Sequence, residues 1–104
     1  FAAPRGLAAD RAGNLYIADT PNHTIRKLTP GGTVTTVAGK PGESGFADGL
    51  VSAARFNNPR ALAFDSAGNL YVADSDNHAV RMISPDGKVT TVAGVLPPAT
   101  GAAR

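Results

Sequence analysis

Apolar and polar residues alternate along this chain in short bursts, each ending at glycine, proline or an Asp/Asn cluster. "GLAAD" (residues 6–10) and "ALAFD" (61–65) place Leu7 with Ala9, and Leu62 with Phe64, on one face of an extended segment, the period-2 signature of a strand. "DRAGN" and "DSAGN" follow as turns in which Gly13 and Gly68 can take a positive φ. "NLYIAD" and "NLYVAD" read as second strands. Asp19 to Asn22, and Asp74 to Asn77, then form turns held by side-chain-to-backbone bonds. "TIRKLT" and "AVRMIS" give third strands, "TPGGT" and "SPDGK" give hairpin turns, and "VTTVAG" is the fourth strand in both places. No window carries a helical period.

The pattern is written twice at a constant offset: Leu7 answers Leu62, Asn14 answers Asn69, His23 answers His78 and Val34 answers Val89, always 55 residues on. Aligning residues 1–39 with 56–94 gives 24 identities and no gap, too close for convergence, so the unit is duplicated. Four antiparallel strands joined by tight turns and repeated every ~40 to 60 residues describe a propeller blade. The fold class is therefore all-β, with two blades: residues 1–55 with a connector at 40–55, and residues 56–104 with a connector at 95–104.

"PRGLAADRAGNLYIADTPNHTIRKL" and "PRALAFDSAGNLYVADSDNHAVRMI" resemble NHL repeats, the β-propeller blades named for an Asn-His-Leu signature. Asp19, Asn22 and His23, with Asp74, Asn77 and His78, occupy that motif. The third signature position departs, being Thr24 and Ala79. The resemblance covers essentially the whole chain and implies blades of a six-bladed ring.

Two blades cannot close a ring, because each sheet face needs a neighbour to cover it. One shared interface would leave two outer faces of Leu, Ile, Val and Tyr exposed, and such patches mark contact surfaces. The chain ends in "AAR" and opens with Phe1, repeating the "AAR-F" that joins the blades at residues 53–56. Copies could thus tile head to tail, and a heterologous contact closes when its rotation divides a full turn. Three copies of two blades would give six. The expectation is a homotrimeric ring, from a chain whose missing initiator Met suggests a processed, trimmed or excised piece of a longer propeller.

With 104 residues, 42% hydrophobic, the chain is expected to be one soluble globular domain, and no stretch reaches the ~18 to 20 apolar residues of a membrane span. No basic-then-apolar leader is visible either. A net charge of +2 is too small, and too interspersed with acids, to argue for nucleic acid by itself. Cysteine is absent, which removes disulfides and thiolate metal sites and suits either redox compartment.

Candidate chemistry sits on loops. The first strand's direction puts the turn at 19–23 and the connector at 40–55 on one rim, and the short turns at 11–14 and 30–33 on the other. Longer loops carry function more often, so the connector segment "GESGFADG", with Glu43, Phe46 and Asp48, is the leading variable element. At 16 residues against 10 for the second connector, it would give a trimer a threefold rim. Arg5 and Arg60, each after a proline at the entry of the innermost strand, are expected at the channel mouth, either as an anion-binding ring or paired with neighbouring acids. Arg26 and Arg81, at mid-strand, are expected to bridge blades.

Other residues read as structural. His23 and His78 each stand alone in a turn without a second His three to five residues away, so a backbone-bonded turn role outweighs a metal. Asp19, Asp74 and Asp76 read as turn acceptors. Glu43 and Asp48 lack the alternating acids of a calcium loop. Tyr16 and Tyr71 fit packing between blades. No nucleophile–base pairing is visible, and no metal or cofactor is expected.

The leading functional expectation is a non-catalytic propeller scaffold whose loop-bearing rim recognises a protein or peptide, the role that resemblance to NHL propellers implies. A second class is a metal-dependent lyase or lactonase, because some related six-bladed propellers hold a divalent ion in the channel. Here the inner strands offer only Asp10 and Asp65. A third is RNA or anion binding through Arg5 and Arg60. A fourth is a propeller fragment notable for self-assembly alone.

Overall fold

The computed structural model describes residues 4–94. Nine strands form two antiparallel sheets. β1 (Pro4–Ala9), β2 (Leu15–Asp19), β3 (Thr24–Leu28) and β4 (Val34–Gly39) follow one another in the first sheet. β6 (Pro59–Phe64), β7 (Leu70–Asp74), β8 (Ala79–Ile83) and β9 (Lys88–Gly94) do so in the second. The all-β reading and the order of the repeated strands hold, and the innermost strands β1 and β6 lie side by side. The second connector, residues 95–104, and the "AAR-F" match through Phe1 lie outside the described residues.

Turn chemistry explains the repeat. Asp10 Oδ1 accepts the backbone N–H of Ala12 and Asn14, and Asp65 Oδ1 does the same for Ala67 and Asn69, so each carboxylate substitutes for missing ladder bonds. Between β2 and β3 the chain makes a single 3-10 turn, Thr20–Asn22, and between β7 and β8 another, Ser75–Asn77. No helical turn is legible in the sequence there, because three residues carry no period. Each ends on a histidine in the left-handed region, His23 at φ 61° and His78 at φ 56°.

The register sorts each sheet into two faces. In the first, Leu7, Ile17 and Arg26 are cross-strand partners on the face pointing away from the second sheet. Ala8, Tyr16 and Lys27 share the face turned towards it. In the second, Leu62, Val72 and Arg81 point towards the first sheet, while Ala63, Tyr71 and Met82 point away. The core is the layer between: Ala18, Ile25 and Ala38 from the first sheet, Ala54 and Phe56 from the connector, and Leu70, Val72, Ile83 and Val89 from the second.

The approach is closest at Gly6. A methyl group there would lie 2.7 Å from the Arg60 carbonyl oxygen and 2.8 Å from Ala61 Cα, so only glycine lets β1 meet β6 so closely. Ala61 holds the position in β6 that Gly6 holds in β1.

The connector corrects the expectation of a projecting rim loop. Residues 49–50 form a short strand, β5 (Gly49–Leu50), which pairs antiparallel with β9, so the second blade has five strands where four were expected. Ala47 and Arg55 exchange backbone bonds, Gly45 N–H donates to the Phe56 carbonyl, and Val51 N–H donates to the Gly87 carbonyl. The folded-back strip covers the open edge of β9, which would otherwise present unpaired backbone.

Candidate functional site

Arg81 fastens the connector. Its Nη1 donates to Asp74 Oδ2 at 2.7 Å and to the Arg55 carbonyl, its Nη2 to Asp48 Oδ1 at 2.8 Å and to the Ala47 carbonyl, and its Nε to Asp48 Oδ1. The guanidinium lies over two aromatic rings, Phe46 with its centroid at 4.7 Å and Phe56 at 5.0 Å. Arg81 and Asp74 are fully buried, so this charge pair persists only because fork geometry and carbonyls satisfy every face of it. Asp48 also takes the Thr91 N–H and hydroxyl.

The rim candidates are therefore structural participants. Phe46 and Asp48 belong to the Arg81 latch. Glu43 is tied to Lys40 at 3.1 Å and Arg55 at 3.5 Å, and the Lys40 bond holds its carboxyl below the usual range. Arg81 pairs with Asp74 of its own blade and, across to the connector of the first unit, with Asp48, while Arg26 approaches Asp19 of its own blade at 3.7 Å. Arg5 and Arg60 are exposed and form no ion pair among the described residues. The channel-mouth candidates are thus not brought together with the connector candidates.

The signature turns act on the seam between blades. His23 Nδ1 accepts the Asn58 N–H at 3.0 Å, and the Thr20 hydroxyl donates to the Pro59 carbonyl, so the first blade's turn grips the entry of β6. In the second blade Asp74 accepts the Asn57 N–H, and Asn77 bridges Asp74 to the Gly45 carbonyl. Asp19 accepts Asn22. The backbone role expected for the histidine holds at His23, across the seam. Among the described residues no group of three His, Asp or Glu lies close enough to hold a metal ion.

A cavity opens on the opposite rim, at Asp10 and Asp65, the two acids that the inner strands offered. It encloses about 680 Å³ between the turns at 10–12 and 65–68, with Tyr16 and Phe64 at its base. Those rings meet edge to face, centroids 5.0 Å apart. A second hollow of about 180 Å³ shares Tyr16, Phe64, Gly68 and Pro85, extending the cleft along the seam. Asp10 and Asp65 line the mouth, and side-chain bonds from Asn14 and Asn69, respectively, hold both carboxyls below the ordinary range. The Tyr71 hydroxyl donates to Asp65 Oδ2, which pushes that phenol up, whereas Tyr16 makes no matching bond to Asp10. Short turns rank below long loops as carriers of function, and the signal available in the sequence was the aspartate that opens each of the repeated turns, Asp10 and Asp65.

The NHL repeat model matches residues 1–28 and 56–81. The chain belongs to the NHL-repeat family. This NHL chain is 38% identical over 102 residues to the protein SUPPRESSOR OF QUENCHING 1, chloroplastic, of Arabidopsis thaliana, covering 91% of the chain and 10% of that protein. It is 39% identical over 94 residues to NHL repeat-containing protein 2 of Gallus gallus, covering 88% and 13%. The chain thus spans about a tenth of the length of these relatives. Among solved structures, an auxiliary nutrient binding protein from Bacteroides thetaiotaomicron superposes with a TM-score of 0.73 at 27% identity, over 85% of this chain and 25% of that one. A streptogramin B lyase shares the fold, TM-score 0.67 at 19% identity, over 98% and 29%. The two NHL sheets are propeller blades.

Proposed function

We propose that this chain supplies two blades to a closed NHL ring that serves as a non-catalytic binding scaffold, three copies completing six blades when the chain stands by itself. One contrast carries the reading. Leu70, Ile83 and Val89 of the second blade are all buried against the first. Their counterparts Leu15 and Leu28 are only half-buried and Val34 is exposed, because no strand among the described residues lies against the first blade's outer face, although Ile17 on that face is buried. Leu7, 60% exposed, lies on that same face. On the far side, Val80 and Ala63 are exposed on the second blade's outward face. An apolar face with a repeat-equivalent that is buried calls for another blade, and a second copy offers one.

A ring role fits relatives named for their NHL repeats and a neighbour named for nutrient binding. Native mass spectrometry of the chain tests it. Three-copy assemblies that dissociate on Leu7→Lys are expected; a stable folded monomer at micromolar concentration overturns the trimer.

A further inference from the structure

We propose that the cleft between the blades, on the rim of the short turns, binds a neutral mono- or disaccharide. Its volume of about 680 Å³ falls within the range of ~300 to 1,000 Å³ typical of small-ligand sites. Its base is aromatic: whichever of Tyr16 and Phe64 presents its edge, a face of Phe64 remains outside the pair. A sugar ring's C–H face carries the weak positive charge that such a π-face accepts.

The walls supply mixed hydrogen-bonding groups. Asp65 is saturated, taking Ala67, Asn69 and Tyr71. Asp10 is not: Oδ1 holds two backbone donors, but Oδ2 receives only Asn14 Nδ2, which leaves an acceptor position open on a residue that lines the cleft. The asymmetry arises because Tyr16 turns to Phe64 while Tyr71 turns to its aspartate. Arg11 and Ser66 add donors on either side.

Charge decides between ligand classes. Two carboxylates, Asp10 and Asp65, face two cations: Arg11 in the lining, and Lys27, which lies over Tyr16 at 5.8 Å and acts on Asp10. The balance gives no net attraction for an ammonium or a phosphate. A polyhydroxylated neutral ligand uses donors and acceptors together and brings no charge to be desolvated.

The test is NMR on the full chain with maltose, cellobiose, lactose and N,N′-diacetylchitobiose as probes, and with benzylamine, inorganic phosphate and a lysine-rich peptide beside them. At least one disaccharide is expected to shift the Tyr16 and Phe64 ring signals and to receive saturation from them. Arg11→Ala and Tyr16→Phe, which delete an exposed donor and one oxygen, should each weaken that binding about tenfold, the worth of one good hydrogen bond. Should either variant fold poorly, saturation transfer to the sugar on the unmodified chain still decides. No response to any sugar, binding unchanged in both variants, or preference for the amine, phosphate or peptide would each overturn the proposal.

Discussion

Arg81 Nη1 and Asp74 Oδ2 lie 2.7 Å apart with neither side chain reached by solvent. The pair stands where sheet, signature turn and connector meet, so breaking it touches all three. Arg81→Met leaves Asp74 buried without its counter-charge, which costs about 3 to 5 kcal/mol, a large share of a small domain's stability. Urea denaturation should show that loss, and limited proteolysis should find new cleavage within residues 42–50. Arg81→Lys keeps the charge yet loses the forked donors to Asp48 and the Ala47 carbonyl, so it should recover only part of the difference.

Gly6 gives a sharper contrast. Gly6→Ala forces its new methyl against the Arg60 carbonyl and Ala61 Cα, both backbone atoms that cannot swing aside. Overpacking of this kind costs about 1 to 3 kcal/mol. Gly31→Ala, in the first hairpin turn, meets nothing nearer than 4.0 Å and should change stability by less than about 0.5 kcal/mol. Paired melting curves check both.

His23 clips the first blade's turn to the entry of the second blade. His23→Ala removes the acceptor for Asn58 N–H and puts alanine at a positive φ, so a loss of about 1 to 3 kcal/mol is expected. Hydrogen exchange at Asn58 should accelerate ahead of exchange in β7 and β8, because the seam opens before the second sheet unfolds.

Acid should loosen the short-turn rim. Asp10 and Asp65 have folded pKa values depressed below their unfolded ones, chiefly by Asn14 and Asn69. Their contribution is therefore present above the unfolded value of about 4 and is lost as pH falls through the folded values. Asp10→Asn with Asp65→Asn should flatten the acid limb of a stability-versus-pH curve by lowering stability in the neutral range, with the two curves converging in acid. The phenol of Tyr71 works in the opposite sense: raised by Asp65, its contribution is present below the unfolded value of about 10 and is lost as pH climbs through the folded one.

Strands and repeat were legible because period-2 alternation, turn glycines and the duplicated Asx turns are local signals. The connector's path was not. Nothing in "GESGFADG" announces that Phe46 and Asp48 will be held against Arg81, a residue 33 positions beyond Asp48. Such long-range pairing depends on which sheet edge is free, and that is known only once β9 is in place. The cleft was hidden for a related reason. Asp10 and Phe64 are far apart in the chain, and only the stacking of β1 beside β6 brings their turns to one opening.

The methyl of Ala61 sets the geometry of whatever follows. At the internal junction a hydrogen on Gly6 allows near-contact of backbones; were another blade to pack on β6 as β6 packs on β1, the Ala61 methyl would stand in the way. Such a blade would have to stand off or rotate relative to the arrangement seen here. Three such chains in a circle would alternate tight and loose spokes, a threefold pinwheel in place of a uniform sixfold wheel.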